Sequence, residues 1–124
     1  MGRTTATEIH ERFDNRYGDE LRSVGYFDDG ESDFVFVRDD VESTYDCAEV
    51  GQIIRDVRLE AIGSENQESM YAHGELLCTV RCFDEATELH TSVDETTGFM
   101  IAVDAGSIVD LRETVEICRS ILTG

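Results

Sequence analysis

The spacing of the apolar residues changes from a helical period to a strand period and back along this chain, and that alternation limits the folds open to it. Ile9, Phe13 and Tyr17 recur every four residues, which is the spacing of one stripe on a helix. Runs rich in valine, phenylalanine and tyrosine follow, and such runs are typical of strands. Helical spacing then returns further along the chain. The sequence therefore predicts a mixed fold in which helices cover a sheet.

Local signals mark the bounds of the first elements. Thr5 and Glu8 form a capping box that opens the first helix, and Gly18 lies near its end. Two strands are expected at residues 22–27 and 33–38. An Asp-Gly pair between them supplies the turn of an antiparallel hairpin.

The second half of the chain repeats this organisation. A second helix is predicted from the capping box of Asp46 and Glu49 to Gly63. Its apolar stripe consists of Val50, Ile53, Ile54, Val57 and Ala61. A polar stretch at residues 64–69 leads to three more strands, expected at 76–83, 87–93 and 98–103. A last helix follows a cap at residues 107–110, and its apolar side consists of Ile108, Leu111, Val115, Cys118 and Leu122.

The whole chain, residues 1–124, is expected to form a single domain. Its length fits one domain, and no glycine- or serine-rich segment divides it as a linker would. The predicted order is α-β-β-α-β-β-β-α. This order predicts an α+β fold with a five-stranded, mostly antiparallel sheet flanked by helices.

The charge of the chain is strongly one-sided. It has 28 aspartate and glutamate residues against 10 arginines and no lysine, so its formal net charge is −18. At low salt such a surface repels itself and opposes the compact state, and multimolar salt removes most of that penalty. The composition therefore resembles that of proteins from salt-accumulating haloarchaea. The same charge disfavours binding to nucleic acid.

Membrane insertion and secretion are not expected. A helix that spans a bilayer needs about 20 apolar residues. The best candidate, residues 98–103, stops at Asp104. The amino-terminal segment has no apolar stretch after Arg3, so it does not form a secretory signal. We expect a cytoplasmic protein with no membrane partner.

In length and element order the chain resembles the roadblock domain, a small homodimeric platform of the profilin-like and longin-like architectures. Locally, residues 67–76 and 79–83, together with residues 37–41, resemble a haloarchaeal family of small proteins with no assigned function. The roadblock resemblance implies a homodimer formed through the second helix and the third strand. It also implies docking to a small GTPase or to another signalling protein.

The favoured function is a non-enzymatic interaction module that forms a homodimer and binds protein partners. Its interface is expected on the apolar stripe of the second helix, although the same stripe equally suits an ordinary core. The interface residues are Val50, Ile53, Ile54 and Val57. A second class of function is a sensor domain that buries a small molecule between sheet and helix.

A third class is an enzyme with a site around Tyr71, His73 and Arg81. Tyr71 and His73 precede the predicted central strand, where loop residues can present functional groups, and His73 equally suits a turn or a cap. Arg81 lies on the strand face opposite the cysteines, which suits a dimer seam, an anionic-ligand site or a plain surface ion pair. No motif fixes the mutual geometry of the three residues, so no catalytic residue is assigned.

The sequence predicts neither a metal site nor a cofactor. Its cysteines are Cys47, Cys78, Cys82 and Cys118. They lack a C-x2-C pair, and in a reducing compartment they are interpreted as small buried hydrophobic residues. Carboxylates cluster near the first hairpin without the EF-hand pattern, and chance explains such a cluster in so acidic a chain. These carboxylates are Asp28, Asp29, Asp33, Asp39 and Asp40. No glycine motif of a nucleotide-phosphate site occurs.

Overall fold

The computed structural model describes the backbone of residues 2–123 and the side chains of residues 3–121. The helices of this part are α1 (Gly2–Tyr17), α2 (Asp39–Glu42), α3 (Cys47–Met70) and α4 (Leu111–Thr123). The strands are β1 (Leu21–Asp28), β2 (Glu31–Val37), β3 (Thr79–Cys82), β4 (Ala86–Ser92) and β5 (Thr97–Asp104). A short 3-10 helix, Gly18–Glu20, joins α1 to β1. Within residues 2–123, no helix combines the length and the apolar character that crossing a membrane requires.

The five strands form one antiparallel sheet in the order β2-β1-β5-β4-β3. The predicted α+β fold is therefore confirmed, with its five-stranded antiparallel sheet and flanking helices. The position predicted for the strand at residues 76–83 is wrong, because β3 lies at the edge of the sheet and not at its centre. The centre is occupied by β5, whose residues are buried on both faces of the sheet.

The main core lies between one face of the sheet and the helices α1 and α4. Its largest fully buried side chains include Ile9, Phe13, Leu21, Tyr26, Leu89, Phe99 and Ile101. Phe13 and Tyr17 stack with 6.0 Å between their ring centroids. Gly18 has a left-handed φ of +55° directly after α1, so the predicted end of the first helix is confirmed.

The helix α3 covers the opposite face of the sheet, where a smaller core forms. Its fully buried members are Phe27, Val57, Ala61 and Met100, and Phe34, Ile53 and Ile54 are partly buried around them. Arg58 of α3 also ties the helix to the first hairpin, because its guanidinium donates to the carbonyl oxygens of Asp29 and Glu31. Helices thus cover both faces of the sheet, and α3 buries fewer residues on its face than α1 and α4 bury on theirs.

One of the two predicted capping boxes forms and the other does not. α1 begins at Gly2, so Thr5 and Glu8 lie inside the helix instead of at its start. In α3 the Asp46 carboxylate accepts a hydrogen bond from the Glu49 N–H at 2.8 Å. The Glu49 carboxylate accepts one in return from the Asp46 N–H at 3.1 Å. The second box is therefore confirmed.

α3 is longer, and β3 shorter, than the sequence predicts. The helix continues past Gly63 to Met70, because Gly63 does not adopt the left-handed conformation that ends a helix and the polar residues after it tolerate helix well. The Glu68 carboxylate accepts a hydrogen bond from the Leu76 N–H at 2.6 Å, so this backbone group is engaged by α3 and not by the sheet. The strand begins only at Thr79.

The last helix confirms part of its predicted apolar side. Val115 and Cys118 are buried, whereas Leu111 is exposed. Ile108 is also exposed, because it precedes α4 and does not take part in the helix. Leu122, the last residue of the predicted stripe, lies outside the residues whose side chains are described.

Candidate binding groove

A cavity of about 880 Å³ lies between α3 and the sheet face that α3 covers, and we term it the α3 groove. Its floor is formed by side chains of β1, β4 and β5, namely Ser23, Ala86, Met100 and Ala102. Its walls and roof come from β2, α2, α3 and the connecting segments, and their apolar members are Phe34, Val37, Val41, Tyr45, Val50, Ile53 and Phe83.

The groove exists because short side chains lie below a helix that packs on the sheet mainly through its middle. Val57 is 3% exposed and Ala61 is 1% exposed, so α3 is in close contact with the sheet there. Val50 and Ile53, nearer the start of α3, are only partly buried. Below them the floor has serine and alanine side chains, which do not fill the space. The partly buried side chains of Val50, Ile53 and Phe34 therefore border an unfilled space under the first turns of the helix.

The segment between β2 and α3 closes one side of the groove. The short helix α2, which was not predicted from the sequence, places Val41 in a buried position. Arg38 anchors this segment by donating to Asp40 at 2.6 Å and to Asp104 at 2.9 Å. Arg22 donates to the same Asp104 carboxylate at 3.1 Å. Hydrogen bonds from Arg38, aided by Arg22, hold the pKa of Asp104 below its ordinary value against the opposing effect of burial.

The four residues predicted to form an interface lie on the side of α3 that faces the sheet. Val57 belongs to the smaller core, and Ile53 and Ile54 pack around that core. Val50 and Ile53 also line the groove. This stripe therefore packs on the chain's own sheet and forms the roof of the groove, and its role in an interface stays a prediction.

Beside the groove, charged and titratable side chains of α3, β3 and β4 form an ionic cluster. Its members are Asp56, Glu60, Arg81, Glu88 and His90. Arg81 donates to the carboxylates of Asp56 and Glu60, each at 2.6 Å. The plain ion pair, one of the alternatives for Arg81, is therefore the arrangement that the structure contains. The cluster links β3 and β4 to the neighbouring flank of α3.

His90 lies inside this cluster between two carboxylates. Its Nδ1 is 3.2 Å from Glu60 and its Nε2 is 3.3 Å from Glu88, and its side chain is only 5% exposed. Burial acts to lower the pKa of His90, but the hydrogen bonds and charges of Glu88 and Glu60 outweigh it and raise the pKa. Only the imidazolium form donates from both ring nitrogens. The geometry thus favours a positively charged histidine that holds helix and sheet together.

The structure brings two of the three predicted loop and strand residues together. Tyr71 and His73 stack with 5.7 Å between their ring centroids, and both are exposed. They line a second cavity, of about 580 Å³, together with Gly74, whose φ is +84°. Arg81 does not line that cavity, because it is held in the ionic cluster. The three residues therefore do not line one common cavity.

The four cysteines are free thiols in different environments. Cys47 and Cys82 are exposed, so their interpretation as buried hydrophobic residues is wrong; Cys47 lies in the first turn of α3 and Cys82 lies on an edge strand. Cys78 is partly buried and Cys118 is fully buried, and burial raises the pKa of the Cys118 thiol to about 12. In the part of the chain that the structure describes, no three His, Cys, Asp or Glu side chains are placed to hold a metal ion.

Neither the groove nor the ionic cluster was predicted from the sequence. A signal for the cluster was available, because the alternation that places Leu89 and Thr91 on one face of β4 places Glu88 and His90 on the other. The groove has no comparable signal. Its floor joins short side chains from three strands, and their neighbourhood depends on the strand order.

Together the fold and the groove define a small α+β domain with a cavity of the size that binds small molecules. Residues 7–123 match the model of a family described as a domain of unknown function, DUF7522, and the chain belongs to this family. No curated protein and no solved structure matches the chain. The haloarchaeal origin and the roadblock resemblance stay predictions.

Proposed function

We propose that this protein is a non-enzymatic binding module that takes an apolar small molecule into the α3 groove. The observation that carries the proposal is the groove itself, a cavity of about 880 Å³ lined mostly by apolar side chains. Ligand pockets span roughly 300–1,000 Å³ and are lined mostly by apolar and aromatic side chains. This is the sensor class of function that the sequence left open.

The groove offers apolar surface that neither α3 nor the sheet covers. Val50 and Ile53 on the helix and Phe34 on the sheet are only partly buried, although they lie on the inward sides of their elements. An apolar ligand that displaces water from these side chains gains about 25 cal/mol for each Å² of apolar surface that it buries. Binding therefore stabilises the folded state and raises the thermal midpoint.

A substitution in the groove floor tests the proposal. Ala102→Phe places a ring in the groove, and Ala72→Phe adds the same ring to an exposed loop as a matched control. The probe is Nile red, a neutral apolar dye whose emission rises when it leaves water. We expect the parent and Ala72→Phe to bind the dye and Ala102→Phe to lose most of that binding. Equal emission from all three proteins would show that the groove is not the site.

Circular dichroism reports whether each variant folds. If Ala102→Phe does not fold, Val50→Trp replaces it, because Val50 is a half-buried residue of the roof and the ring again fills the cavity. The same loss of dye emission is expected from that variant.

A second candidate is the homodimeric interaction module, and an exposed sheet edge favours it. β3 lies at the edge of the sheet, and Val80 and Phe83 on and beside it are 40% and 55% exposed. An edge strand with apolar side chains is a template for pairing with another chain. In this proposal the module is a roadblock-like dimer that docks a protein such as a small GTPase. Its contact surface is the β3 edge, because the apolar stripe of α3 packs inside the chain.

Light scattering after size exclusion in multimolar KCl tests the second candidate. The proposal requires a dimer in the parent protein. Val80→Lys is expected to give a monomer, and Val93→Lys, a substitution of another exposed valine, is expected to keep the dimer. A monomeric parent would remove this candidate.

A further inference from the structure

We infer that the α3 groove selects ligands in which an apolar body carries a cationic head, of the alkylammonium type. This inference rests on the proposed function, because it names the ligand class of the same groove. Three observations support it. Within residues 3–121, carboxylates without an ion-pair partner lie at the opening of the groove, exposed aromatic rings lie beside them, and the arginine of the lining is already engaged in hydrogen bonds.

Carboxylates without an ion-pair partner surround the opening. Glu42, Asp84 and Glu85 line the groove and are exposed. Among the side chains of residues 3–121, none of these three carboxylates has a basic partner within ion-pair distance. A cationic head at the opening therefore meets negative charge that the protein has not already neutralised.

An anionic head finds no comparable partner. Arg22 is the basic residue of the lining, and its guanidinium already donates to the Asp104 carboxylate at 3.1 Å and to the Glu85 carbonyl oxygen at 3.4 Å. Arg38 shares the same Asp104 carboxylate, so releasing Arg22 would disturb a network that fixes the wall of the groove. A fatty-acid carboxylate thus meets repulsion at the opening and gains no ion pair.

Two aromatic rings at the opening add to the selection. Tyr45 and Phe83 line the groove and are 44% and 55% exposed, so their rings reach the solvent side. Cations are attracted to the face of an aromatic ring. The apolar body of the ligand would then lie on the Ala102 floor beneath Val50. The opening and the interior together fit one amphiphilic cation.

Three ligands with the same chain separate the head group from the apolar body. Octylamine, octanol and octanoate are titrated by isothermal calorimetry below their aggregation limits, at low and at high KCl. We expect octylamine to bind about fivefold tighter than octanol, the gain of one or two exposed ion pairs, and octanoate to bind most weakly. The preference for octylamine is expected to shrink as KCl rises.

Two double variants test whether the carboxylates at the groove cause the preference for a cationic head. Glu42→Gln with Glu85→Gln is expected to bring octylamine close to octanol. Glu65→Gln with Glu116→Gln removes two exposed charges outside the groove and is expected to keep the fivefold preference. Equal loss in both pairs would overturn the inference, because it would assign the preference to the net charge of the chain.

The outcomes distinguish this inference from the proposed function. If all three ligands bind equally and Ala102→Phe abolishes their binding, the groove is a binding site and the charge selection is wrong. If octylamine binds equally to the parent and to Ala102→Phe, the amine pairs with the outer surface and the inference fails, whereas the proposed function fails only if the neutral dye also binds both proteins equally. If octylamine does not bind the parent, the inference is overturned whatever the neutral dye shows.

Discussion

Gly25 of β1 lies directly beneath the ring of Phe34 on the neighbouring strand. A β-carbon at Gly25 would be 2.8 Å from that ring and 2.9 Å from the methyl carbon of Met100. Such distances are shorter than carbon atoms tolerate, so the absence of a side chain lets Phe34 lie flat against the sheet. Phe34 is also a wall of the α3 groove, and Gly25 therefore helps to set the groove's shape.

Replacing this glycine tests the close approach. Gly25→Ala is expected to lower the free energy of unfolding by about 1–3 kcal/mol through overpacking. Gly106→Ala is the control, because nothing lies within 4 Å of its added β-carbon and its φ is not left-handed. Urea denaturation at fixed KCl measures both. A neutral Gly25→Ala would mean that Phe34 and Met100 can move aside without cost.

The stability of the fold is expected to depend on pH through His90. Its pKa in the folded state is raised above the ordinary 6.5. A raised pKa means that protonation stabilises the fold, so the contribution is complete below about pH 6.5 and is lost as the pH rises through the folded-state pKa. Urea denaturation across this range, at fixed KCl, should show the free energy of unfolding falling in the parent. The groups that face His90 are Glu60, Glu88 and, through Glu60, Arg81.

Two histidine variants assign this dependence to its source. His90→Gln is expected to remove the slope, whereas His73→Gln changes an exposed loop residue and should retain it. If the free energy of unfolding depends on pH equally in the parent and in His90→Gln, His90 is not the protonated residue that the geometry of the ionic cluster indicates.

Loss of the Asp104 carboxylate is expected to weaken the hydrogen bonds that hold the segment beside the groove. Asp104→Asn weakens its bonds to Arg38 and Arg22, and we expect a loss of about 1–2 kcal/mol in the free energy of unfolding. Because the folded-state pKa of Asp104 is lowered, its contribution is present above about pH 4 and is lost as the pH falls through that lowered value. Asp14→Asn, at an exposed position of α1, is the matched control. Equal loss from both variants would contradict a special role for Asp104.

The net charge of −18 predicts that dilution of salt destabilises the protein. Screening is weak at about 0.1 M salt, where the Debye length is about 10 Å, and strong in multimolar KCl. The thermal midpoint is expected to fall on dilution, as followed by circular dichroism. A midpoint that is unchanged between the two conditions would remove the argument for adaptation to high salt.

Thiol labelling should separate the cysteines by burial. Cys47 and Cys82 are exposed and should react with a thiol reagent in the folded protein, while Cys118 should react only after unfolding. Burial raises the pKa of Cys118 to about 12, so its thiolate is scarce at neutral pH. Mass spectrometry of peptides after a short reaction identifies the labelled sites. Early label on Cys118 would mean that α4 opens readily.

The fold could be predicted from the sequence where one signal dominated locally. The stripe of Ile9, Phe13 and Tyr17 and the box at Asp46 and Glu49 each needed only neighbouring residues, and both are present. Strand order depends on contacts between residues far apart in the sequence, so local spacing could not show that β3 lies at an edge. The end of α3 depends on the backbone conformation of Gly63, which a glycine permits but does not require. The bond from Leu76 to Glu68 that shortens β3 has no signature in local spacing.

The candidate site was less predictable than the fold. The sequence identified the stripe at Val50 and Ile53 as apolar, but that pattern does not tell whether a helix packs tightly on its sheet or stands above short side chains. Only the packing shows that Ala86 and Ala102 leave room below it. Arg81 was identified as notable because its charge lies on a sheet face, and the carboxylates that bind it come from α3, on another element.

The helices on the two sides of the sheet are attached by different forces, and this has a consequence for motion. α1 and α4 are held by closely packed apolar rings and branched chains, whereas α3 adds to a small apolar contact the polar links of Arg58 at one border and Arg81 at the other. Sub-global opening that releases α3 while the opposite half stays folded costs less than complete unfolding. We therefore expect amide hydrogens of α3 to exchange with solvent sooner than those of β5, and we expect a ligand bound in the groove to slow the exchange of α3 first.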